Sequence, residues 1–341
     1  MSKKIAVLGT GANGSSIAAN LTQAGLDVVL IDQWPAHVEA MRTNGLQIDM
    51  PDQQLNVPVE AYHLCDVCTM NTTFDVVFLL VKAYDTRWAC ELIKPYLAED
   101  GLLVGIQNAM TVDDIVDIVG PSRTLGCVIE LSSECFTPGV VKRNTTPAGT
   151  WFGIGSVDES TAGREEEIAE LLRHAGKVSM SDEIISAKWM KLVVNAMSLG
   201  TFAMLGLAFG DAMRLPGMRE FALQCGTEAL AAGQSQGYTI QPIFGLSEDD
   251  VKDTNRLLEK LVDKLGADVG PDARDAVLQD HLKGRYSEVD LINGLVVEEA
   301  ESRGGKAPFN AAVTEITRRI QLGELEPDPS NLDLARKLMK N

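Results

Sequence analysis

The sequence predicts an α/β protein: an open parallel sheet with covering helices in the first half, followed by an all-helical second half. Three observations carry this expectation. Short apolar runs rich in β-branched residues alternate with helix-spaced segments up to about residue 160. Beyond Ala162 the long segments read as helix and strand-like runs nearly vanish. A glycine-rich turn, "GTGANG" at residues 9–14, stands between the first apolar run and the first helix.

Taken in order, Ile5-Ala6-Val7-Leu8 is a short apolar run of the kind found in buried parallel strands. Ser15 to Ala24 places Ile17, Ala18 and Leu21 at helical spacing, with Gly25 as the C-cap. Asp27 to Asp32 (DVVLID) reads as a second strand that ends in an acid. Phe74 to Val81 is nearly all apolar, a helix-like stretch runs from Thr86 to Leu97, and Leu102 to Ile106 is another strand. A helix near Thr111 to Val119 precedes strands at Thr124–Leu131 and Val140-Val141. Helices then follow at Ala162–Ala175, Ile184–Phe209, Met218–Gln234, Ser247–Leu265, Ser287–Arg303 and Pro308–Leu322. Length alone favours two domains. The expected boundary lies between about 175 and 183, giving domains of 1–180 and 181–341.

A lone G-x-G-x-x-G is a weak signal in a chain with 30 glycines, so its context must decide. Here strand, glycine turn, helix, strand and acid follow in order, with Asp32 about 20 residues beyond the glycines as the dinucleotide fingerprint requires. Gly9 permits the tight turn, Gly11 lets the backbone approach a pyrophosphate, and Gly14 lets the helix pack closely on the strand. The orphan N–H groups at the helix start then face the phosphates. Gly9, Thr10, Gly11, Ala12, Asn13 and Gly14, with Asp32, are therefore the expected cofactor-binding residues of an N-terminal Rossmann dinucleotide-binding domain.

Composition narrows the partners. The formal net charge is −18, from 48 acids against 30 bases, a field that repels nucleic acid. No apolar run approaches bilayer-spanning length, and the Met-Ser-Lys-Lys start leads directly into the first strand, which predicts a cytoplasmic protein without a signal peptide. Cys65, Cys68, Cys90, Cys127, Cys135 and Cys225 are scattered. Cys65 and Cys68 form a C-x-x-C without a second pair at zinc spacing, so reduced thiols and no metal are expected. His37, His63, His174 and His281 are equally dispersed, and none carries a catalytic or metal signature.

Four constellations could carry chemistry. Lys82 stands where a buried strand ends, on the edge where parallel sheets bind ligands, and suits a cofactor phosphate or ribose. Asn108, in "GIQNAM", also follows a strand, where either a turn or a ligand contact would use an asparagine. Lys191 and Asn195 are four apart in "KWMKLVVNAMSLG" and share one face of an otherwise apolar helix. Such a lysine either snorkels to solvent or, partly buried, becomes a proton donor near neutral pH. In "SEVDLING", Glu288, Asp290 or Asn293 could face a ligand, and spacing does not say which.

Together these stretches resemble the ketopantoate reductase family (2-dehydropantoate 2-reductase). The resemblance covers nearly the whole chain: GTGANG, "VKAYDT" after the fourth sheet strand, "QNAM" after the fifth, "WMKLVVNA", "SEVDLINGLVV" and "GGKAPFN". It implies a Rossmann domain, a helical substrate and dimerisation domain with the active site in the cleft between them, a small-molecule substrate and a homodimer. Lys191 matches the family's catalytic lysine, which protonates the carbonyl oxygen as hydride arrives from the nicotinamide. Asn195 matches a substrate-holding asparagine, and Glu288 a glutamate that contacts cofactor or substrate. Asn108 and Lys82 match residues beside the nicotinamide and the ribose.

The departures from the family pattern also carry information. Leu199 stands where a second substrate asparagine is usual, Phe209 near another polar position, and Ala276 where a serine commonly binds the substrate carboxylate. A site lacking those donors suits a bulkier or more hydrophobic 2-oxo acid or ketone than ketopantoate. The family typically uses NADPH and places an arginine near the end of the second strand. Here Asp32 and neutral Gln33 stand there, and Arg42 lies a helix away, better suited to solvent than to phosphate. NAD(H) is therefore expected over NADP(H). Rival readings are a NADPH-dependent 2-dehydropantoate 2-reductase, a relative of the 3-hydroxyisobutyrate and phosphogluconate dehydrogenases, and a dinucleotide-binding redox sensor without turnover.

Overall fold

The computed structural model describes residues 3–252 and 256–340. The first strand, β1 (Lys4–Leu8), sets the layering. Ile5 and Val7 enter one core, Ala6 and Leu8 the other, and all four are fully buried. A strand covered on both faces has no polar side to show, which is why it reads as an unbroken apolar run. Helix α1 (Ala12–Gln23), strand β2 (Asp27–Asp32) and helix α2 (Pro35–Asn44) follow. Three four-residue strands come next: β3 (Leu46–Asp49), β4 (Gln54–Val57) and β5 (Glu60–His63). The chain continues through β6 (Phe74–Leu79), α3 (Thr86–Ile93), β7 (Leu97–Gly105), α4 (Val112–Val119) and β8 (Thr124–Glu130). The hairpin β9 (Ser133–Thr137) and β10 (Val140–Arg143) leads to β11 (Trp151–Ser156), α5 (Glu165–Leu172) and β12 (Lys177–Met180).

Eight strands form the main sheet in the order β12-β11-β8-β7-β6-β1-β2-β5. Strands β1, β2, β5, β6, β7 and β8 are all parallel, and β1 lies between β2 and β6. Counted along the chain these six strands have the doubly wound order 3-2-1-4-5-6, whose strand order reverses between β1 and β6. Ligands bind such sheets outside the carboxyl ends of the strands at that reversal.

The wholly parallel sheet expected from sequence needs correction: β11 runs antiparallel to β8, and β12 pairs parallel to β11. The strand at Val140-Val141 belongs to a separate four-stranded sheet, β4-β3-β10-β9, which packs against α1. Its Arg143 is 1% exposed and donates to Asn20 Oδ1, Thr150 Oγ1 and the Ala175 carbonyl, and burial pushes its pKa down to about 10. The helix expected to run to Leu97 stops at Ile93, because Pro95 follows in a tight 3-10 turn.

The helices beyond are α6 (Ile184–Ala203), α7 (Phe209–Arg214), α8 (Met218–Gln236), α9 (Glu248–Lys252), α10 (Leu257–Val269), α11 (Ala276–Leu282), α12 (Asn293–Ser302), α13 (Pro308–Gln321) and α14 (Asn331–Leu338). The helix expected over Ile184–Phe209 therefore ends at Ala203, three residues before Gly206 with its φ of +70°. That expected over Ser247–Leu265 is α9 and α10, with residues 253–255 outside the described ones. That expected from Ser287 begins only at Asn293, because Ile292 leaves helical geometry at φ −117°, ψ −86°. By compactness the chain divides into one unit holding the residues up to Gln107 with Thr111–Ile185, and another holding Asn108–Met110 with the residues from Ser186 on.

One carboxylate organises the helical unit. Glu228, on α8, accepts from the backbone N–H groups of Phe309 and Asn310 at 3.0 Å and from Asn310 Nδ2 at 2.8 Å. Helix α13 has no side-chain cap of its own, so Glu228 satisfies its first-turn donors from a neighbouring helix. Asn310 Nδ2 also donates to the Cys225 carbonyl, and its Oδ1 accepts from Asn293 Nδ2. Glu228→Ala would remove the shared acceptor of three N–H groups, two of them on buried Asn310. It should destabilise the protein by about 2–4 kcal/mol, read as a fall in the urea midpoint at unchanged slope.

Candidate active site

The glycine turn lies at the strand-order reversal, because Gly9 follows β1 directly and Leu80 follows β6. Gly9 has a φ of +94°, and a Cβ on it would lie 2.5 Å from the Val81 nitrogen and 2.6 Å from the Leu80 carbonyl carbon. Its N–H donates to the Ile31 carbonyl at 2.8 Å, tying the turn to β2. A Cβ on Gly14 would collide with the Gly9 carbonyl oxygen, whereas one on Gly11 would meet nothing within 4 Å. Gly9 and Gly14 are thus required by the protein's own packing, and Gly11 is not. Helix α1 starts at Ala12, three residues before the expected Ser15, so Ala12, Asn13 and Gly14 are its first turn and Gly11 is its N-cap. No side chain caps that terminus and no acid occupies its first turn, leaving backbone donors and the positive end of the helix dipole to an anion. The chain therefore fits a dinucleotide: an exposed glycine and an uncapped helix start, held by two glycines that no other residue could replace.

Around the turn the side chains are fixed. Thr10 is fully buried, and its hydroxyl donates to Asp32 Oδ2 at 3.4 Å. Asp32, 7% exposed, also accepts from the Trp34 backbone N–H at 2.8 Å. Its carboxylate is held at the end of β2 with lone pairs left to accept from hydroxyl groups. Asn13 Oδ1 accepts from Ser133 Oγ at 2.6 Å. Arg42 is not merely solvated, as its place in the sequence suggested. Its Nε donates to the Ala61 carbonyl, its guanidinium pairs with Glu39 at 2.9 Å and Asp66 at 2.6 Å, and the hydrogen bond it donates to Asp66 raises its pKa.

Lys82 is half-buried and opens a 3-10 turn, Ala83–Asp85. The residue that shapes its loop is Gln107, which the sequence did not mark. Gln107 is 6% exposed, donates to the Val81 carbonyl at 2.9 Å and Thr86 Oγ1 at 3.0 Å, and accepts from Thr111 Oγ1. It bridges the segments that follow β6 and β7.

The second group of residues lies in the helical unit. Asn195, 2% exposed on α6, donates through Nδ2 to Asn108 Oδ1 at 3.0 Å. Asn108 donates through its own Nδ2 to Glu288 Oε2 at 3.4 Å. This directional chain fixes the orientation of both amides and leaves Asn195 Oδ1 as an acceptor. Ala109 has a φ of +62°, unusual for a residue with a side chain. The bend at Ala109 follows directly on Asn108. Of the three candidates in "SEVDLING", Glu288 is the one that joins the chain. Asp290 pairs with Arg318 on the surface, and Asn293 is a buried strut that donates to the Ala196 carbonyl and to Asn310.

Lys191 stands one helical turn before Asn195 and is half-buried. Its Nζ lies 4.9 Å from the centroid of the Phe244 ring, within cation–π range. Phe244 is 2% exposed and has a φ of +60°, a strained backbone that places the ring under the ammonium. Neither Phe244 nor Lys188, which is 3% exposed one turn before Lys191, was singled out from the sequence. The aromatic–glycine pair at Phe244-Gly245 in a Pro-containing loop was the only local signal for the former. His281 is pushed down to about 4 by burial, so it stays neutral near pH 7.

The three apolar departures fall on packed positions. Leu199 packs against Ala203, Val277 and Leu278, and Ala276 opens the helix that carries the last two. Phe209 meets Phe202 edge-on at 5.3 Å between centroids, and a Cβ on Gly266 would lie 2.7 Å from its ring. Among the described residues no group of three or more His, Cys, Asp or Glu could hold a metal ion, and no helix is long and apolar enough to cross a membrane.

Known proteins match the chain along both units. The family description "Ketopantoate reductase PanE/ApbA" matches residues 5–156, and its C-terminal counterpart matches residues 183–321. The chain is similar to the 2-dehydropantoate 2-reductase of Archaeoglobus fulgidus, at 25% identity over 94% of this chain and 99% of that one. It is also similar to the enzyme of the same name from Mesorhizobium japonicum, at 27% identity over 93% and 97%. Among solved structures, a PanE/ApbA family ketopantoate reductase from Ralstonia eutropha shares the fold with a TM-score of 0.78, at 24% identity over 94% and 99% of the chains. A D-mandelate dehydrogenase solved with NADH and anilino(oxo)acetate shares it with a TM-score of 0.83, at 19% identity over 94% and 98%. The chain belongs to the ketopantoate reductase family and is a nicotinamide-dependent oxidoreductase acting on a CH–OH group.

Proposed function

We propose that the protein reduces a 2-oxo acid or related ketone to the alcohol, or runs the reverse reaction, with Lys191 as the general acid. The observation that carries this reading is the chain Asn195–Asn108–Glu288, with Lys191 on the same helix face as Asn195. Gly9, Thr10, Gly11, Ala12, Asn13, Gly14, Asp32 and Lys82 would hold the cofactor, and Asn108 and Glu288 are its further expected contacts. A bound reduced nicotinamide would supply hydride to the carbonyl carbon. Lys191 gives a proton from Nζ to the carbonyl oxygen, and the resulting amine is reprotonated from solvent. Asn195 Oδ1 accepts from the substrate hydroxyl in the alcohol state, while Asn108 and Glu288 hold its amide in register. The Phe244 ring favours the ammonium at its place over the ring face.

The substrate we infer is bulkier and more apolar than ketopantoate. Support comes from Leu199, Phe209 and Ala276, where hydrogen-bonding groups would be needed to select a small hydroxylated acid. The D-mandelate dehydrogenase of like fold is solved with anilino(oxo)acetate, an acid that carries an aromatic ring, which is compatible with this choice. A homodimer in the cytoplasm is the assembly we infer. The apolar side chains Leu282, Tyr286 and Leu322, each more than half exposed on the helical unit, support the dimer.

NAD(H) is the inferred cofactor. Asp32 would face the 2′-phosphate of NADP, and like charges about 4 Å apart at an effective dielectric near 20 repel by roughly 4 kcal/mol per pair. Arg42 is committed to Glu39 and Asp66, so a phosphate there would meet two further carboxylates.

Three outcomes follow. Lys191→Ala should lower kcat on the order of 10²–10⁴-fold with cofactor affinity nearly intact, and Phe244→Leu should lower it by about tenfold or less. Turnover kept in Lys191→Ala but lost in Lys188→Ala would transfer the acid role to Lys188. In parallel titrations NADH should bind on the order of 10²-fold or more tightly than NADPH, with Asp32→Ala narrowing the gap; tighter NADPH binding in the unmodified protein would reverse the choice. Across a panel of 2-oxo acids, phenyl(oxo)acetate should exceed ketopantoate in kcat/KM, and the opposite ranking would refute the apolar-substrate reading.

A further inference from the structure

The buried histidine that the sequence left without a role sits directly behind the cofactor turn. His37 is fully buried on α2, with the Trp34 ring stacked on it at 5.5 Å and 19° between planes. Its Nδ1 accepts from the Gly139 backbone N–H at 2.8 Å. A ring nitrogen that accepts carries no proton, so in the neutral ring the proton is on Nε2. Nε2 lies 2.9 Å from the Thr10 carbonyl oxygen and 3.2 Å from Ser15 Oγ, and it therefore donates to the carbonyl. The Ser15 hydroxyl donates to the same carbonyl at 2.6 Å. Two buried donors thus converge on the Thr10 carbonyl from the protein side.

The peptide bond between Thr10 and Gly11 is planar and trans, so its C=O and N–H point in opposite directions. Drawing the Thr10 carbonyl inward turns the Gly11 N–H outward, at the exposed glycine whose missing side chain nothing in the protein requires. We infer that His37 is a positioning residue of the cofactor site. By donating from Nε2 to the Thr10 carbonyl, it holds the Gly11 N–H in the direction from which it can bind the cofactor's diphosphate. This rests on the reading that the turn takes a nicotinamide dinucleotide. The anchor is stiff because Gly139, which holds the far side of the ring, is the turn between β9 and β10, in a different sheet from the strands on either side of Gly9.

The test separates the two nitrogens. A glutamine amide reaches the position of Nε2 and keeps the donor to Thr10, whereas an asparagine amide reaches the position of Nδ1 and keeps only the acceptor for Gly139. Both His37→Gln and His37→Asn lose one buried hydrogen bond and should lower Tm similarly. Binding of NADH and of NADPH is measured by fluorescence titration. His37→Gln should stay within about threefold of the unmodified Kd, and His37→Asn should weaken binding by about tenfold. Ser15→Ala, which removes the second donor to the same carbonyl, should weaken binding in the same sense and carries the test should neither histidine variant fold. Equal Kd values for the two histidine variants, or unchanged binding in Ser15→Ala, would overturn the inference. An unmodified protein that bound neither NADH nor NADPH would instead overturn the reading of the turn itself.

Discussion

The carbonyl of Gly9 occupies the space in which a side chain at position 14 would begin. That approach is possible only between a glycine in left-handed geometry, φ +94°, and a second glycine inside the first turn of a helix. It lets α1 start immediately after β1 and brings its N-terminus over the carboxyl edge of the sheet. The strand order reverses there, Thr10 meets Asp32, and the helix-terminal donors remain for a ligand. A side chain at either glycine would need to displace backbone rather than a flexible chain end. The binding function of the first unit depends on that one contact.

The helical unit answers a different physical problem, that of holding polar groups in an apolar helix without leaving them unpaired. Helix α6 is buried along most of its length, so Asn195 must find partners, and it finds Asn108, which in turn finds Glu288. Two backbone bends with positive φ, at Ala109 and Phe244, lie next to this chain and at the ring under Lys191. Each costs on the order of 1 kcal/mol or more, and the surrounding buried packing sustains it. Asn293, Asn310 and Glu228 tie α6, α8, α12 and α13 to one another, so the helix that carries Lys191 is anchored to its neighbours.

What could be read from the sequence follows from these forces. Strands β1, β2, β6, β7 and β8 were legible because burial on both faces makes them continuous apolar runs. Leu46–Asp49, Gln54–Val57 and Glu60–His63 were not, since four residues of mixed polarity carry no periodicity. Lys177–Met180 has no fully buried residue and reads as a linker, yet it pairs with β11. The glycine turn and Asp32 were legible from local order alone. Asn195 and Asn108 are 87 residues apart, and Asn108 and Glu288 are 180 apart, so family resemblance rather than spacing brought them together. Gln107 and His37 make buried contacts with distant segments, which leave no pattern in the chain itself, and for Phe244 the one local signal is its glycine neighbour.

Hydride transfer between a nicotinamide and a carbonyl carbon is open to a direct isotope test in this chain. The protein would be incubated with NADH deuterated at C4 of the nicotinamide and with phenyl(oxo)acetate or ketopantoate, and the product analysed by mass spectrometry. With NADH labelled at the 4R or the 4S position in separate incubations, one deuterium should appear at C2 of the hydroxy acid from one label and none from the other. Product without deuterium from both labels, or cofactor bound without any product from either acid, would refute hydride transfer.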